Sequence, residues 1–557
     1  MYMYFDKEQR TMAGSIRFAA KKWPDNVAIY WEDKRITYKQ LDQMSETFAK
    51  GLVAKGIQMG DRVGLWMHNH PEWVVAWFGI EKIGAIVIPL DYWYKQSDAK
   101  YILSHSGARA LVTSEKILDV NFLEMIANIR QYLRGLDHVI VFGSTNKDKN
   151  WQTSWDEILK LGKNVTKEEM ENIRTQIHNH DINFILYTSG TTGKPKGVSL
   201  SHYNVIRNAW DVGALLKITP KDNILVPVPY SHAFGNSMAL ALATLRGAAQ
   251  TPMLQYDPGI ALEMIDKYKV TIHHGVPTMF KRELDIFRKG NFSLEALRTG
   301  IMAGAPCPIE TVSGVLNEMK CNILIAYGLT EASPVITMTQ ISDSPEIMAS
   351  TVGKPLPGVD VRIVDPETYR ILPVGQQGEI VCKGYLVMEG GYFKEPDQTE
   401  KVLKWGWLLT GDLGEVDEFG NYKITGRAKD MVIVGGLNVF PRIIEEHIIT
   451  HSKVQDVSVT GVFDPDLGEV AAAAVVPMDG EDIDPQEILD YCYGKITSAA
   501  VPRYITIVKE LPVSGRGKVQ KFKLKDQLNT MIEVGKLKKM VPSKVKKNKK
   551  LLRQNST

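Results

Sequence analysis

A chain of 557 residues is too long for one hydrophobic core, so two or more domains are expected. Apolar content of 44% and charged content of 24% are ordinary for a soluble globular protein. Net charge is +3, but nine Lys or Arg and no acid follow Gly535, which leaves a body of 58 basic against 64 acidic residues. Residues 536–557 therefore read as a basic, disordered tail that could touch an anionic membrane surface. The four cysteines (Cys307, Cys321, Cys382 and Cys492) are scattered without metal-ligand spacing and read as reduced thiols of a cytoplasmic protein. The N-terminus lacks the basic-then-apolar order of a secretory signal, and the longest apolar region, Trp73 to Leu90, is interrupted by Glu81 and Lys82.

Along the chain, Tyr38 to Lys55 is patterned as an amphipathic helix, with Leu41, Met44, Phe48 and Leu52 on one face. Strands are predicted at 62–67 and 85–90, with a helix at 72–83 between them. This βαβ rhythm argues for a largely parallel sheet with helices on its faces. It recurs over 200–330, with a strand at 224–228 and a helix at 238–245. Residues 350–425 turn to short strands broken by Gly, Pro and Asp, a small β-rich subdomain. Beyond 430 the pattern is α+β, with helices at 441–451 and 485–495 and strands at 457–461 and 471–476.

The most informative stretch is Tyr187-Thr188-Ser189-Gly190-Thr191-Thr192-Gly193-Lys194-Pro195-Lys196-Gly197-Val198. An apolar strand, Phe184 to Tyr187, feeds into it. Small residues let backbone N–H groups approach an anion, hydroxyls add donors and lysines add charge, which suits a polyphosphate. Its spacing is not that of the common nucleotide-hydrolysing loop. Farther on, Tyr327-Gly328-Leu329-Thr330-Glu331 follows the apolar run Ile323 to Ala326. A glycine, hydroxyl and carboxylate after a strand suit a nucleotide and a hard cation. His273 and His274 are adjacent in a predicted strand, so they face opposite ways and cannot chelate together. His447 and His451 share a helix face without the catalytic Glu of a metalloprotease helix, and read as surface or packing residues.

These motifs, in this order, resemble those of the AMP-forming acyl-CoA synthetases of the adenylate-forming superfamily, and the resemblance runs from about residue 24 to about 525. It implies an α/β fold: a large N-terminal adenylation domain (1–428) of layered βα subdomains with a small β-barrel-like subdomain, then a small mobile α+β C-terminal domain (429–535). By the same resemblance Thr188, Ser189, Gly190, Thr191, Thr192, Gly193, Lys194 and Lys196 bind phosphates. Gly304-Ala305-Pro306, Tyr327 and Gly328 contact adenine, Thr330 bonds the α-phosphate and Glu331 helps hold Mg²⁺. Asp412 meets the ribose, Arg427 makes a second contact to ribose or phosphate, and Lys429 is the hinge. Lys518, in Ser514-Gly515-Arg516-Gly517-Lys518, is the catalytic lysine, and Gly435-Gly436 line the path of coenzyme A.

The acyl pocket falls by resemblance on His232, Phe234, Asn236, Met238, Val276, Met279, Met302 and Ala303, mostly apolar residues. Amino-acid-activating relatives carry an Asp just after the aromatic of this segment. Here Ala233-Phe234-Gly235-Asn236 has none, and an ammonium would be left unpaired in an apolar pocket. Ala303 stands where relatives often have Gly, which shortens the pocket. One further departure is Ile443, where the family commonly has an acid. The implied activity is ligation of a medium-chain fatty, alicyclic or aromatic acid to CoA through an acyl-adenylate. The alternatives are a long-chain fatty-acid ligase, a ligase loading a separate acyl carrier protein, and a non-catalytic relative. Implied partners are the acid, ATP, Mg²⁺ and CoA, without nucleic acid; a homodimer and peripheral membrane contact through the tail stay open.

Overall fold

The computed structural model describes residues 7–143, 151–188, 194–513 and 519–544. The chain divides into two compact units. The first holds residues 1–361, 381–409 and 419–422, and the second 362–380, 410–418 and 423–557.

The first unit is built on two sheets. One has seven strands, in the order Lys196–Ser201, Ile182–Thr188, Ile86–Pro89, Arg62–Trp66, Ala110–Ser114, His138–Phe142 and Gln152–Ser154. All pairs are parallel except the hairpin at the first edge. The other has nine, in the order Lys354–Pro355, Val335–Met338, Asn322–Gly328, Thr299–Ala303, Ile272–Gly275, Asn223–Val226, Ala249–Pro252, Val27–Trp31 and Lys34–Thr37. Its centre is parallel and its edges antiparallel.

The helix Tyr38–Ala54 starts where expected because Thr37 and Gln40 form a reciprocal capping box. Leu41, Phe48 and Leu52 are buried on its inner face, while Met44 is only half-buried. The helix Pro71–Glu81 begins on a proline at its first position and is buried all round. Trp73 stacks on Trp77 and on Tyr230, with centroids 5.0 and 5.1 Å away. A helix apolar on every face belongs to a core, and this one leads from the strand Arg62–Trp66 of the seven-stranded sheet to Tyr230, just beyond the strand Asn223–Val226 of the nine-stranded one.

The helix expected at 238–245 begins earlier, at Ala233, and widens to π-helical hydrogen bonding over Asn236–Ala241 before closing as Leu242–Arg246. A π turn inserts an extra residue per turn, which periodicity does not reveal. Short strands follow, Val359–Val364, Gly378–Gly384, Leu403–Lys404, Trp407–Val416 and Tyr422–Arg427, in a sheet of five.

In the second unit, strands Leu437–Val439, Val432–Val434, Gly468–Pro477 and Val454–Asp464 line up in that order, and Tyr504–Ile507 joins Gly468–Pro477 in parallel. The helices Pro441–Ile448, Pro485–Cys492 and Lys521–Glu533 bury Ile444, Ile448, Ile488, Leu489, Leu524 and Leu528 in one core with Val459, Val462 and Ala471–Val475. His447 stacks on Tyr491 and His451 pairs with Glu487, so both are packing residues, as expected. All four cysteines are free and buried. Among the described residues no helix is long and apolar enough to cross a membrane.

The basic tail differs from its reading as disordered. Through residue 544 it is docked: Leu537 joins the core, Met540 N–H donates to Arg503 O at 2.8 Å, and Ser543 N–H to Asp490 Oδ1 at 2.8 Å. Lys539 Nζ lies 2.6 Å from Asp464 Oδ2, a carboxylate with no exposed side-chain surface. Burial pushes the Asp464 carboxyl up, but the Lys539 ammonium and the N–H groups of Asp466 and Leu467 outweigh it and hold the carboxyl below its usual range. Residues 545–557 lie outside the described part.

Leu537→Ala should lower the stability of the C-terminal unit by about 2 kcal/mol, read as an earlier denaturant midpoint. The Asp464–Lys539 anchor has its full effect above the ordinary Asp range and is lost as pH falls through the lowered folded value. Lys539→Ala should therefore flatten the acid limb of the stability–pH profile, and an unchanged limb would contradict this anchor.

Candidate active site

Four neighbouring parallel strands of the nine-stranded sheet, Asn322–Gly328, Thr299–Ala303, Ile272–Gly275 and Asn223–Val226, run the same way, so their carboxyl ends share one edge. Ala303 is level with Ala326, and Gly275 with Met302. The segments leaving this edge carry residues expected on the adenine and acyl sides: Tyr327 to Glu331, Ala303 to Pro306, Val276 to Met279, and Pro229 to Asn236. In open α/β sheets this edge is where ligands bind.

The turn after Asn322–Gly328 is tightly made. A Cβ on Gly328 would stand 1.8 Å from Pro334 O, so no other residue fits. The chain then enters the short helix Thr330–Ala332 with Thr330 buried and Glu331 half-buried. Glu331 Oε1 accepts a 2.8 Å hydrogen bond from the Tyr392 hydroxyl, and Glu331 O accepts one from Met388 N–H. Gly304 has a φ of +88°, and Gly304, Ala305 and Pro306 are all exposed.

On the acyl side, His232 caps the helix that follows it. Its Nδ1 accepts from Phe234 N–H at 3.2 Å, and its carbonyl accepts from Gly235 and Asn236. A Cβ on Gly235 would stand 2.1 Å from Pro229 O, so the glycine lets this turn close. Phe234 lies 6.0 Å from the ring of His274, whose pKa is pushed down to about 3 by burial and by the neighbouring His273. A neutral imidazole here fits an apolar lining. Met238 and Met302 are fully buried, Asn236 nearly so, and Met279 half-buried. His273 and His274 go to separate partners, as their places in a strand require. His273 Nε2 meets Glu283 Oε2 at 2.8 Å, and His274 Nδ1 accepts from Ile301 N–H at 3.1 Å.

The glycine-, serine- and threonine-rich stretch lies between the two strands of a hairpin, with Thr188 and Lys196 the last paired residues. Ser189, Gly190, Thr191, Thr192 and Gly193 lie outside the described residues. Lys194 Nζ is 5.9 Å from the ring centre of Tyr101. Lys196 Nζ donates to Gln398 Oε1 at 3.0 Å and sits 4.8 Å over the ring of Tyr392.

In the second unit, Asp412 and Arg427 are brought together, with Nε 2.8 Å from Oδ1. Asp412 is buried; its N–H donates to Thr410 Oγ1, and the preceding Gly411 N–H donates to Glu379 Oε1. Burial and the charge of Asp412 raise the Glu379 carboxyl above its ordinary value, against the Gly411 hydrogen bond. Lys429 lies in the short helix Ala428–Asp430. Gly435 and Gly436 form the two-residue turn between Val432–Val434 and Leu437–Val439, both at positive φ, which a hairpin twisted this way demands. Lys518 lies outside the described residues. On either side of that stretch Val513 bridges Val519, and Gln520 N–H donates to Pro512 O.

Two residues near this edge escaped the sequence reading. Asn69 is buried just after the strand Arg62–Trp66. Its Nδ2 donates to Val226 O and Val228 O, and its Oδ1 accepts from Tyr230 N–H. It fixes the path of the chain into His232. The other is Tyr392. Neither sits in a recognisable motif, since each acts through partners far away in sequence. Among the described residues there is no cluster of three or more His, Cys, Asp or Glu able to hold a metal ion. Glu331 as a single carboxylate fits an ion such as Mg²⁺, which takes most of its oxygens from phosphate and water.

Comparison with known proteins agrees with this geometry. Residues 16–393 match the AMP-binding enzyme family, and residues 443–518 match the AMP-binding enzyme C-terminal domain. YngI of Bacillus subtilis, provisionally named an acyl-CoA synthetase, is 38% identical over 94% of this chain and 98% of its own. The mitochondrial medium-chain acyl-CoA ligase ACSF2 of Danio rerio is 33% identical over 93% and 88%. The crystal structure of the anthranilate CoA ligase AuaEII with anthranoyl-AMP superposes with a TM-score of 0.83 at 25% identity, covering 94% of this chain and 98% of that one. With family matches to both the large and the small part and relatives matched over nearly their whole length, the chain belongs to the AMP-binding enzyme family and is an AMP-forming acyl-CoA synthetase.

Proposed function

We propose that the acid is a medium-chain fatty, alicyclic or aromatic carboxylic acid, joined to CoA in two steps over one carbonyl. The observation that carries this is the common edge onto which four parallel strands deliver both the adenine-side and the acyl-side segments. The acyl-side segments carry His232, Phe234, Met238, Met279, Met302 and Ala303, mostly apolar residues, and no carboxylate follows Phe234 to pair with an α-ammonium. The likeness to ACSF2 favours a medium chain, and the likeness to AuaEII favours a ring.

In the first step a carboxylate oxygen attacks the α-phosphorus of ATP, the P–O bond to the β-phosphate breaks, and pyrophosphate leaves. Thr188 to Gly193, Lys194 and Lys196 hold the phosphates, Thr330 bonds the α-phosphate, and Tyr327, Gly328 and Gly304-Ala305-Pro306 seat the adenine. Asp412 accepts from the ribose hydroxyls with Arg427 beside it. Glu331 would hold Mg²⁺, which would supply charge neutralisation on the phosphate oxygens. Lys518 brings an ammonium to the charge that builds as two anions meet. Rotation of the C-terminal domain about Lys429 then withdraws Lys518 and presents the Gly435-Gly436 turn to pantetheine. The CoA thiolate attacks the acyl carbon, the mixed anhydride breaks, and AMP leaves.

A panel of acids assayed for CoA-dependent AMP release tests the substrate class. Octanoate, cyclohexane carboxylate and benzoate should give higher kcat/KM than acetate, palmitate or α-amino acids. Highest turnover on an α-amino acid, or AMP release only with a carrier protein in place of CoA, would overturn the assignment.

A further inference from the structure

Residues 385–393 strap together the end of the hairpin at Lys196 and the turn that carries Glu331. On one side they extend the hairpin: Phe393 N–H donates to Gly197 O at 2.7 Å, Ser199 N–H to Gly391 O at 2.9 Å, and Val198 bridges Tyr392 in antiparallel fashion. On the other side, Met388 N–H donates to Glu331 O and the Ser333 hydroxyl to Leu386 O. Gly390 has no room for a Cβ, which would stand 2.6 Å from Ser199 Cβ. Tyr392 is thus held in place by backbone pairing, with its ring nearly buried.

From that position its two chemical parts serve two residues. The hydroxyl donates to Glu331 Oε1 at 2.8 Å, and the ring face lies under the Lys196 ammonium at 4.8 Å. We propose that Tyr392 is a positioning residue for the metal-and-phosphate end of the site, fixing the Glu331 carboxylate through its hydroxyl and seating Lys196 on its ring. This rests on the reading that Glu331 holds Mg²⁺ and Lys196 faces the phosphates. A glutamate has three rotatable bonds; a donor clamped to one oxygen leaves the other aimed in one direction. An ammonium over an aromatic face is held without the neutralisation a carboxylate would impose, so its charge stays available to an anion. Gln398 completes the seat by accepting from the same ammonium.

The test is equilibrium binding of ATP to the full chain across a Mg²⁺ titration, with metal-free AMP binding measured alongside. Tyr392→Phe removes one oxygen and keeps the ring. The Mg²⁺ concentration that half-saturates ATP binding should rise about tenfold, the scale of a lost hydrogen bond to a charged group, with AMP binding unchanged. Tyr392→Leu should show the same shift and, in addition, weaker ATP binding without metal, because the seat of Lys196 is gone. In a Glu331→Gln background, Tyr392→Phe should add no further shift in the Mg²⁺ requirement. An unchanged Mg²⁺ requirement in Tyr392→Phe, or an equal loss of AMP binding, would overturn the proposal. If Glu331→Gln itself leaves the Mg²⁺ requirement unmoved, the underlying reading of Glu331 fails; if it raises the requirement and Tyr392→Phe does not, only the role of Tyr392 fails.

Discussion

Two like charges have to touch. A carboxylate cannot reach the α-phosphate of ATP unless the repulsion between them is offset at the point of contact. An AMP-forming ligase therefore needs donors and cations around one small volume, carried on elements that do not yield. In the proposed mechanism this falls, in the first unit, to the carboxyl edge of a parallel sheet. The strands are largely buried, and the turns leaving them carry His232, Thr330 and Glu331.

Those turns are held by contacts that have little to do with substrate. Gly328 and Gly235 are glycines because backbone oxygens occupy the space a side chain would take. Asn69 makes three amide hydrogen bonds to the chain entering His232, and the buried helix that follows it packs Trp73 against Tyr230 in the same segment. Residues 385–393 do similar work for Glu331 and Lys196. The polar groups are thus braced from behind, which is what electrostatic stabilisation of a charged transition state requires. The second unit repeats the pattern on a smaller scale, with Asp412 buried against Arg427 and the Gly435-Gly436 turn set by its hairpin.

Much of this was legible in the chain. Alternation of apolar strands and helices marked the parallel sheets. A strand running into glycine, threonine and glutamate marked the edge at Tyr327 to Glu331, and the adjacent histidines at 273 and 274 separated as strand geometry demands. What stayed hidden depended on distant partners. Asn69 reads as one polar residue among His68 and His70, and only the fold brings Val226 and Tyr230 to it. Tyr392 reads as a loop aromatic until residue 331 arrives beside it. The docked stretch to residue 544 looked disordered because its composition is basic, but Leu537 finds a core and Lys539 finds Asp464, some seventy residues earlier in the chain. The glycine pair at 435 and 436 was assigned to a passage for pantetheine; its positive φ angles show that the hairpin itself also demands it.

The central claim is that an ammonium on the small domain serves adenylation and leaves before thiolation. Separate assays of the two half-reactions in Lys518→Ala test this most directly. Acid-dependent pyrophosphate exchange should fall by about 100-fold or more, as on losing one preorganised donor to a developing oxyanion. Thiolysis of supplied acyl-adenylate by CoA should stay within a few-fold of the parent enzyme. Equal loss in both assays, or full pyrophosphate exchange without the lysine, would contradict it.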